Sequence, residues 1–293
     1  MASGLGALRS PSAVAAAAWR ACVLEATADK PGNVSPGRSF ADMDYGDLLR
    51  SARLAGPEIA RAGTRGVGAT ALAVVRARRT LVAANTNLGI ALLFAPLARA
   101  ALDDGLPDAP LRGRLEATLA GLGVDDARDA YEAIRLAGAG GLGTRPEHDV
   151  ATEPSVGLRE AMAAGAGHDR VASEYATGYA IVFGHGLPVL RRALADGLAG
   201  LDAIVELHLE LLRDHPDTLI ARRCGLPAAR AVSDGAAQAL AAGGTRTTDG
   251  RAALAAFDAS LRGARNRLNP GTTADLVAAT LFAALLEGAP LLP

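Results

Sequence analysis

Residues 10–44 read SPSAVAAAAWRACVLEATADKPGNVSPGRSFADMD, and this stretch decides how the fold begins. Ser10 is suited to cap a helix with proline in its first turn, and the alanine-rich run predicts that this helix reaches about Ala28. Two Pro-Gly pairs, at Pro31 and Pro36, then break the helix and begin an irregular loop of about fifteen residues. Loops of this kind in compact helical proteins tend to carry function.

The rest of the chain repeats the helical signals of its beginning. Half of the residues are hydrophobic, only 3% are aromatic, and alanine, the best helix former, is abundant. Strand patterns with period two hardly occur. Local signals predict a helix over residues 169–183 and a cap by Thr272 or Thr273 at the last helix. They also predict an amphipathic helix over residues 201–212, with His208 on its apolar stripe as a core residue. We therefore predict an all-α protein and, because no long linker divides it, a single compact domain over residues 1–293. We expect a loose tail at residues 1–10 and an active site in a central cleft between helices.

Charge and composition exclude several classes of function. The formal net charge of −1 gives no reason to expect nucleic acid as a partner, and no apolar run approaches the roughly 20 residues of a membrane span. Cys22 and Cys224 lie far apart without neighbouring histidines, so we expect neither a disulfide framework nor a zinc site, and a cytoplasmic location. The glycine run at 138–143 follows no strand and is predicted to be a flexible connection. A monomer and a homodimer both remain open.

Lys30 is the only lysine among the 30 basic residues. A compact ammonium on a flexible stem differs from a planar guanidinium, which suggests a chemical role such as binding phosphate. The alternative is a surface lysine without function. On the preceding helix, the apolar positions Val14, Ala18 and Cys22 continue to Glu25, which predicts a carboxylate that points inward.

Asparagine is scarce, and its positions are informative. The five asparagines are Asn33, Asn85, Asn87, Asn266 and Asn269. They lie in three stretches beside glycine or proline, which fits helix caps and turns, or neutral amides gathered around one polar ligand. With the carboxylates and arginines, they are typical of a site for a magnesium-bound polyphosphate. No Walker A motif is present.

Five stretches, taken together and in order, resemble the triphosphoribosyl-dephospho-CoA synthase family. They are Glu25 with Lys30-Pro31-Gly32 and Asp42-Met43; Asn85-Thr86 with Gly89; Glu174 with Gly178-Tyr179; Asp217-Thr218 with Arg223 and Gly225; and Asn269-Pro270-Gly271 with Ala274-Asp275-Leu276. Each is weak alone. The resemblance covers residues 20 to 285.

The resemblance implies a helical transferase that uses ATP as a substrate and Mg²⁺ as a cofactor. A hydroxyl of dephospho-CoA attacks C1′ of the ATP ribose, adenine leaves, and a triphosphoribosyl group is transferred. The implied catalytic residues are Glu25, Lys30, Asp42 and Glu174. The implied ligand-binding residues are Lys30, Asn33, Asn85, Asn87, Asp217, Arg223 and Asn269, with Asp217 and Arg223 as a positioning pair. The implied metal ligands are Asp42, Glu174 and Asp275.

Two motifs depart from the family pattern. Where the citrate-lyase branch reads Pro-Lys-Pro-Gly-Leu-Val-Asp in its first motif, this chain has Asp29-Lys30-Pro31-Gly32-Asn33-Val34-Ser35. Where the citrate-lyase branch has histidine and lysine in its second motif, this chain has Asn87 and Leu88. These variants resemble a branch found in archaea and in bacteria with methanopterin-linked one-carbon metabolism. The open alternatives are a ribosyl or phosphoribosyl transferase with another acceptor, a hydrolase similar to the ADP-ribosylglycohydrolases, and a catalytically silent nucleotide-binding protein.

Overall fold

The computed structural model describes residues 9–138 and 147–291, apart from the side chain of Ala264. Most of the predicted tail at 1–10 and most of the glycine run at 138–143 therefore lie outside the described residues. Within them the chain forms fourteen α-helices and no strand, which confirms the all-α prediction. No helix in this part of the chain has both the length and the apolar character needed to cross a membrane. The single-domain organisation stays a prediction.

The first seven helices are α1 (Pro11–Thr27), α2 (Tyr45–Ile59), α3 (Val67–Arg79), α4 (Leu88–Ala101), α5 (Leu111–Ala120), α6 (Val124–Ala137) and α7 (Leu158–Gly165). The second seven are α8 (Arg170–Thr177), α9 (Leu187–Ala195), α10 (Gly200–Asp214), α11 (Thr218–Cys224), α12 (Leu226–Ala241), α13 (Thr248–Leu261) and α14 (Gly271–Leu286). A π-helical turn (Val182–Gly186) precedes α9, and a 3₁₀ turn (Ala264–Asn266) precedes α14.

Helix α1 follows its sequence signals closely. The Ser10 hydroxyl accepts a hydrogen bond from the Ala13 amide at 3.2 Å, as an N-cap should. The buried face contains Val14, Ala18 and Glu25, so the predicted inward carboxylate is present. Helix α1 packs against α2 and α14. Glu25 near its C-terminal end lies close enough to Asp275, in the first turn of α14, for their charges to interact.

Helices α4 and α14 form the centre of the core. Both are buried along most of their length, and Phe94 stacks on Phe282 with ring centroids 4.3 Å apart. A helix that is apolar on all sides is typical of such a position. The polar residues that precede or begin these two helices are therefore held against a rigid interior.

The long loop between α1 and α2 is held by the C-terminal part of the chain. Asp258 on α13 accepts hydrogen bonds from the Gly32 amide at 2.8 Å, from Arg38 at 2.6 Å and from Arg262 at 2.7 Å. Gly32 has φ +77°, and a Cβ at this position would lie 2.8 Å from the Pro270 ring. Both its conformation and its close packing therefore require glycine.

Two local predictions were wrong. The helix expected over residues 169–183 ends at Thr177, because Gly178 adopts a left-handed conformation that terminates it. Thr272 and Thr273 were expected to cap the last helix. That helix already begins at Gly271, and the Thr273 hydroxyl instead donates to Asp217 at 2.8 Å.

Candidate active site

A cavity of about 420 Å³ lies among the ends of several helices. Its walls come from the C-terminal end of α1, the loop after it, the starts of α4, α8 and α14, and from α7 and α11. The volume falls in the usual range for sites that bind small molecules, about 300–1,000 Å³. Because helix starts present unpaired amides, such walls also suit anionic ligands.

Most of the sequence-predicted residues meet at this cavity. Eight of the eleven line it, namely Glu25, Asn33, Asp42, Asn85, Asn87, Arg223, Asn269 and Asp275. Three do not: Lys30, Glu174 and Asp217. Distant parts of the sequence are thus brought together, and the three remaining residues have other environments.

Lys30 is completely buried behind Glu25. Its Nζ lies 3.0 Å from Glu25 Oε1, and it also donates to the carbonyl oxygens of Glu25 and Ala28. These three acceptors match the three donors of an ammonium group. The side chain has no contact with the cavity, so the predicted direct bond to phosphate does not fit this position. The ammonium instead neutralises the Glu25 carboxylate from behind.

A single buried histidine lies close to the Lys30 ammonium. His208 on α10 is fully buried, as its place on an apolar helix face predicted. Burial and the nearby Lys30 charge lower the pKa of His208 to about 3, so its ring stays neutral at physiological pH. A neutral ring leaves Lys30 as the positive charge that faces Glu25.

Asp275 lies in the first turn of α14 and contacts the start of α4. A Cβ on Gly89 would lie only 2.0 Å from Asp275 Oδ2, so this approach requires glycine. Burial raises the pKa of Asp275 well above its usual value, and the neighbouring Glu25 carboxylate adds to this effect. Part of the Asp275 surface still faces the cavity. Two nearby carboxylates therefore face the same enclosed space.

Glu174 is turned away from the cavity, which conflicts with its expected role as a metal ligand. Its two carboxylate oxygens accept hydrogen bonds from the amides of Ile181 at 3.0 Å and Val182 at 2.9 Å. The side chain is fully buried, and this burial raises the pKa of Glu174 to about 7. The geometry assigns Glu174 to the junction between α8 and the π-helical turn.

Asp217 joins two helix starts and forms no pair with Arg223. Its Oδ1 caps α11 by accepting from the amides of Leu219 and Ile220 at 2.9 and 3.0 Å. Its Oδ2 accepts from the amide and hydroxyl of Thr273 at 2.7 and 2.8 Å. The expected positioning role is therefore exerted on α11 and α14, which carry Arg223 and Asp275.

Two asparagine side chains in the cavity wall have unpaired polar atoms. Asn33 donates to Asn269 Oδ1 at 2.8 Å, while its own Oδ1 has no partner. Asn87 is only 5% exposed, and neither its Oδ1 nor its Nδ2 has a partner. Asn85, in contrast, caps α4 through the Leu88 amide at 3.3 Å. Buried polar groups without partners are costly, so they indicate a place for a ligand.

The cavity also has a basic side that sequence reasoning found only in part. Arg222 and Arg265 line it beside Arg223, and Arg222 donates a hydrogen bond to Asp169. His148 and His168 are further lining residues that were not among the predicted site residues. Arg222 adjoins the predicted Arg223, so its helix offered a signal. Arg265 gave no such signal because its orientation depends on the 3₁₀ turn.

One group of possible metal ligands lies elsewhere. Side-chain ligand atoms of His185, Glu210 and Asp214 come within 4.8 Å of one another, and none of these residues lines the cavity. Arg213 already binds Glu210 and Asp214, each at 2.6 Å. This group contains none of the predicted metal ligands.

Comparison with known proteins places these features in a family. The model of the family described as CitG, ATP:dephospho-CoA triphosphoribosyl transferase, matches residues 11–291. The chain is 30% identical to a probable 2-(5''-triphosphoribosyl)-3'-dephosphocoenzyme-A synthase of Pseudomonas aeruginosa, over 84% of this chain and 90% of that protein.

Shorter matches give higher identity. The chain is 38% identical to the synthase of Klebsiella pneumoniae and 38% identical to the probable synthase of Azotobacter vinelandii. These two alignments span 34% and 39% of the relatives' lengths, and 33% and 39% of this chain.

The fold is similar to that of a solved structure. The crystal structure of a protein from Archaeoglobus fulgidus, titled a putative triphosphoribosyl-dephospho-coA synthase, matches with a TM-score of 0.61 at 26% identity. The match covers 82% of this chain and 99% of that one. By the family match over residues 11–291, the chain belongs to the ATP:dephospho-CoA triphosphoribosyl transferase family.

Proposed function

We propose that this protein transfers the triphosphoribosyl group of ATP to dephospho-CoA and releases adenine. The observation that carries the proposal is a single cavity in which carboxylates, free amides and arginines lie side by side. Such a set supplies a base, recognition groups and countercharge for a triphosphate. The names of the relatives and the family support the same reaction.

In the proposed reaction Glu25 acts as the general base. An oxygen–C1′ bond forms between the acceptor hydroxyl and the ATP ribose, and the bond from C1′ to N9 of adenine breaks. The hydroxyl proton passes to Glu25, whose charge is matched by Lys30 at 3.0 Å. Positioned bases of this kind contribute roughly 10²–10⁴-fold to rates.

The arginines Arg222, Arg223 and Arg265 are proposed to bind the triphosphate. Guanidinium groups present paired donors that fit phosphate oxygens. Asp169 holds Arg222 in place, while Arg223 and Arg265 are exposed at the cavity wall. This places the phosphate-binding function on residues other than Lys30.

Mg²⁺ is the proposed cofactor, and the residues at the cavity fit it. Hard oxygen ligands suit this ion, which in nucleotide sites commonly uses one or two carboxylates together with substrate phosphates. Asp42 and Asp275 line the cavity and would hold the ion, whereas Glu174 does not reach it. When bound, Mg²⁺ would supply positive charge to the triphosphate. It would also offset the repulsion between Asp275 and Glu25.

The test is chromatography of ATP incubated with the protein and Mg²⁺, with and without dephospho-CoA. The proposal requires free adenine only when the acceptor is present. Adenine without acceptor would show a hydrolase, and no adenine in either case would favour a transferase with another acceptor or a silent nucleotide-binding protein. Either result rejects transfer to dephospho-CoA.

Variants make the test specific to the cavity. Glu25→Gln should lower adenine release by roughly 10²–10⁴-fold, because the base is lost while the shape is kept. Asp202→Asn is the matched control, because Asp202 pairs with the exposed Arg251 and neither residue lines the cavity. If the control lost as much activity as Glu25→Gln, the assignment of the base would be wrong.

A cytoplasmic location and the state of assembly also belong to this proposal. Both cysteines are free, which fits a reducing compartment. We propose cytoplasmic synthesis of the product, where ATP is available. A homodimer stays a prediction that sedimentation velocity would test.

A further inference from the structure

Asn87 has the most unusual environment of the amides in the cavity wall. It precedes α4 at the N-cap position, yet its side chain makes no capping bond, and Asn85 accepts the amide of Leu88 instead. Both polar atoms of Asn87 therefore remain unpaired although the residue is 95% buried. A side chain that gives up its usual cap bond and stays unpaired is suited to a ligand with complementary groups.

The primary amide limits which ligand group can satisfy Asn87. It offers one acceptor, Oδ1, and an Nδ2 donor next to it. A phosphate can only accept and would leave Oδ1 unpaired. The edge of adenine presents an amino donor at N6 beside an acceptor at N7, and asparagine is the residue that matches this pair in two bonds.

The groups near Asn87 fit the remaining parts of the same substrate. Gly89, two residues after Asn87, lies against Asp275, and the charges of Glu25 and Arg222 both act on Asp275. The amide, the two carboxylates and the arginine all line one cavity. An ATP molecule with its adenine beside Asn87 would therefore have its ribose and triphosphate in the cavity that contains these carboxylates and arginines.

Apolar side chains flank this end of the cavity. Ser51 on α2 is 2.6 Å from the Thr86 hydroxyl, which ties α2 to the segment that carries Asn87. Leu48, one turn before Ser51, lines the cavity together with Phe40 and Met43. Apolar surface of this kind covers the face of a purine, whereas the edge needs a polar partner.

We propose that Asn87 recognises the adenine of ATP through N6 and N7 and stabilises it as the leaving group. This inference rests on the proposed function. When the C1′–N9 bond breaks, its electron pair stays on adenine, and the Nδ2–H bond to N7 offsets the negative charge that develops there. The released base then takes up a proton from water, while the acceptor proton goes to Glu25.

The experiment measures binding of three nucleotides by calorimetry in Mg²⁺ buffer. They are ATP, 7-deaza-ATP, which lacks the N7 acceptor, and purine riboside triphosphate, which lacks the 6-amino group. The wild-type protein should bind ATP roughly 5- to 100-fold more tightly than either analogue. Asn87→Leu should bind all three within about twofold of one another.

Gln238→Leu is the matched control, because it makes the same change from amide to leucine at a residue outside this cavity. It should discriminate as the wild type does. Equal binding of the three nucleotides by the wild type would overturn the proposal, even if Asn87→Leu failed to fold. Equal discrimination by wild type and Asn87→Leu would overturn it as well.

The two proposals fail in different ways. If the wild type discriminates among the nucleotides but releases no adenine with dephospho-CoA, the transferase is wrong and the adenine site stands. If adenine is released while 7-deaza-ATP binds as tightly as ATP, the transferase stands and the role of Asn87 is wrong.

Discussion

Replacing Lys30 with methionine tests how the centre of the cavity is built. The change keeps most of the buried stem and removes the ammonium that faces Glu25 at 3.0 Å. At an effective dielectric of 20, two unit charges at this distance attract by about 5.5 kcal/mol before desolvation is subtracted. Lys30 also donates to two carbonyl oxygens, which would lose their partner.

The expected result is a large loss of stability. Removing one member of a buried pair costs about 3–5 kcal/mol, because the other charge remains without compensation. For a chain of this size that corresponds to a fall in melting temperature of roughly 6 to 20 °C. Glu25→Gln should also destabilise, and the double variant should lose less than the sum of the two single changes.

The assay combines chemical denaturation with calorimetric measurement of ATP binding. Denaturation gives the double-mutant cycle for Lys30 and Glu25. ATP affinity of folded Lys30→Met should fall less than threefold, because Lys30 does not line the cavity. Additive effects of the two changes, or a tenfold loss of ATP affinity with stability intact, would refute this account. The second result would restore Lys30 as a phosphate ligand.

Three further changes follow from the described contacts. Gly89→Ala should lower the rate of adenine release at least roughly tenfold, because the new Cβ would displace Asp275 from its contact at the start of α4. Gly113→Ala is the control: it lies on the exposed face of α5, where a Cβ would have no neighbour closer than 3.7 Å. This control should leave the rate unchanged and stabilise the protein by about 0.4–1 kcal/mol. Glu174 has a pKa of about 7 in the folded protein against 4.5 as a free residue. Its contribution to the free energy of unfolding is therefore full below pH 4.5 and is lost as the pH rises to 7. Denaturation curves should show a decrease in the free energy of unfolding of about 3 kcal/mol over this range, and Glu174→Gln should not show it. Asp258→Asn should free the loop after α1 and cost about 1.5–3 kcal/mol, with faster hydrogen exchange at the Gly32 amide; unchanged exchange would show that other contacts hold the loop.

The fold followed from the sequence because its main signals are local. Alanine-rich stretches, caps such as Ser10, and Pro-Gly breaks act over a few residues, so helix bounds are close to those expected. The failure at residues 169–183 has a local cause as well. Gly178 adopts a left-handed conformation, which glycine allows but does not impose, and only the packed structure decides it.

The membership of the site was easier to predict than the role of each residue. Motifs show which segments meet, and eight of the eleven candidates do line the cavity. The motifs do not show whether a side chain points into the cavity or into the protein interior behind it. Lys30, Glu174 and Asp217 lie within the same segments but point into protein, and each has its charge satisfied there by ions, amides or hydroxyls. That outcome depends on tertiary packing, which short-range patterns do not encode.

The hydrogen bonds that Asp258 accepts from the loop after α1 also bear on when the cavity can form during synthesis. Gly32 and Arg38 in the loop are made near the start of synthesis, and their partner Asp258 comes 226 and 220 residues later. Contacts of such sequence separation form late, because the intervening chain must first be ordered. A growing or truncated chain that lacks α13 and α14 can therefore build its first helices but not the cavity. Such a fragment would therefore lack the proposed ATP site until the last helix is in place.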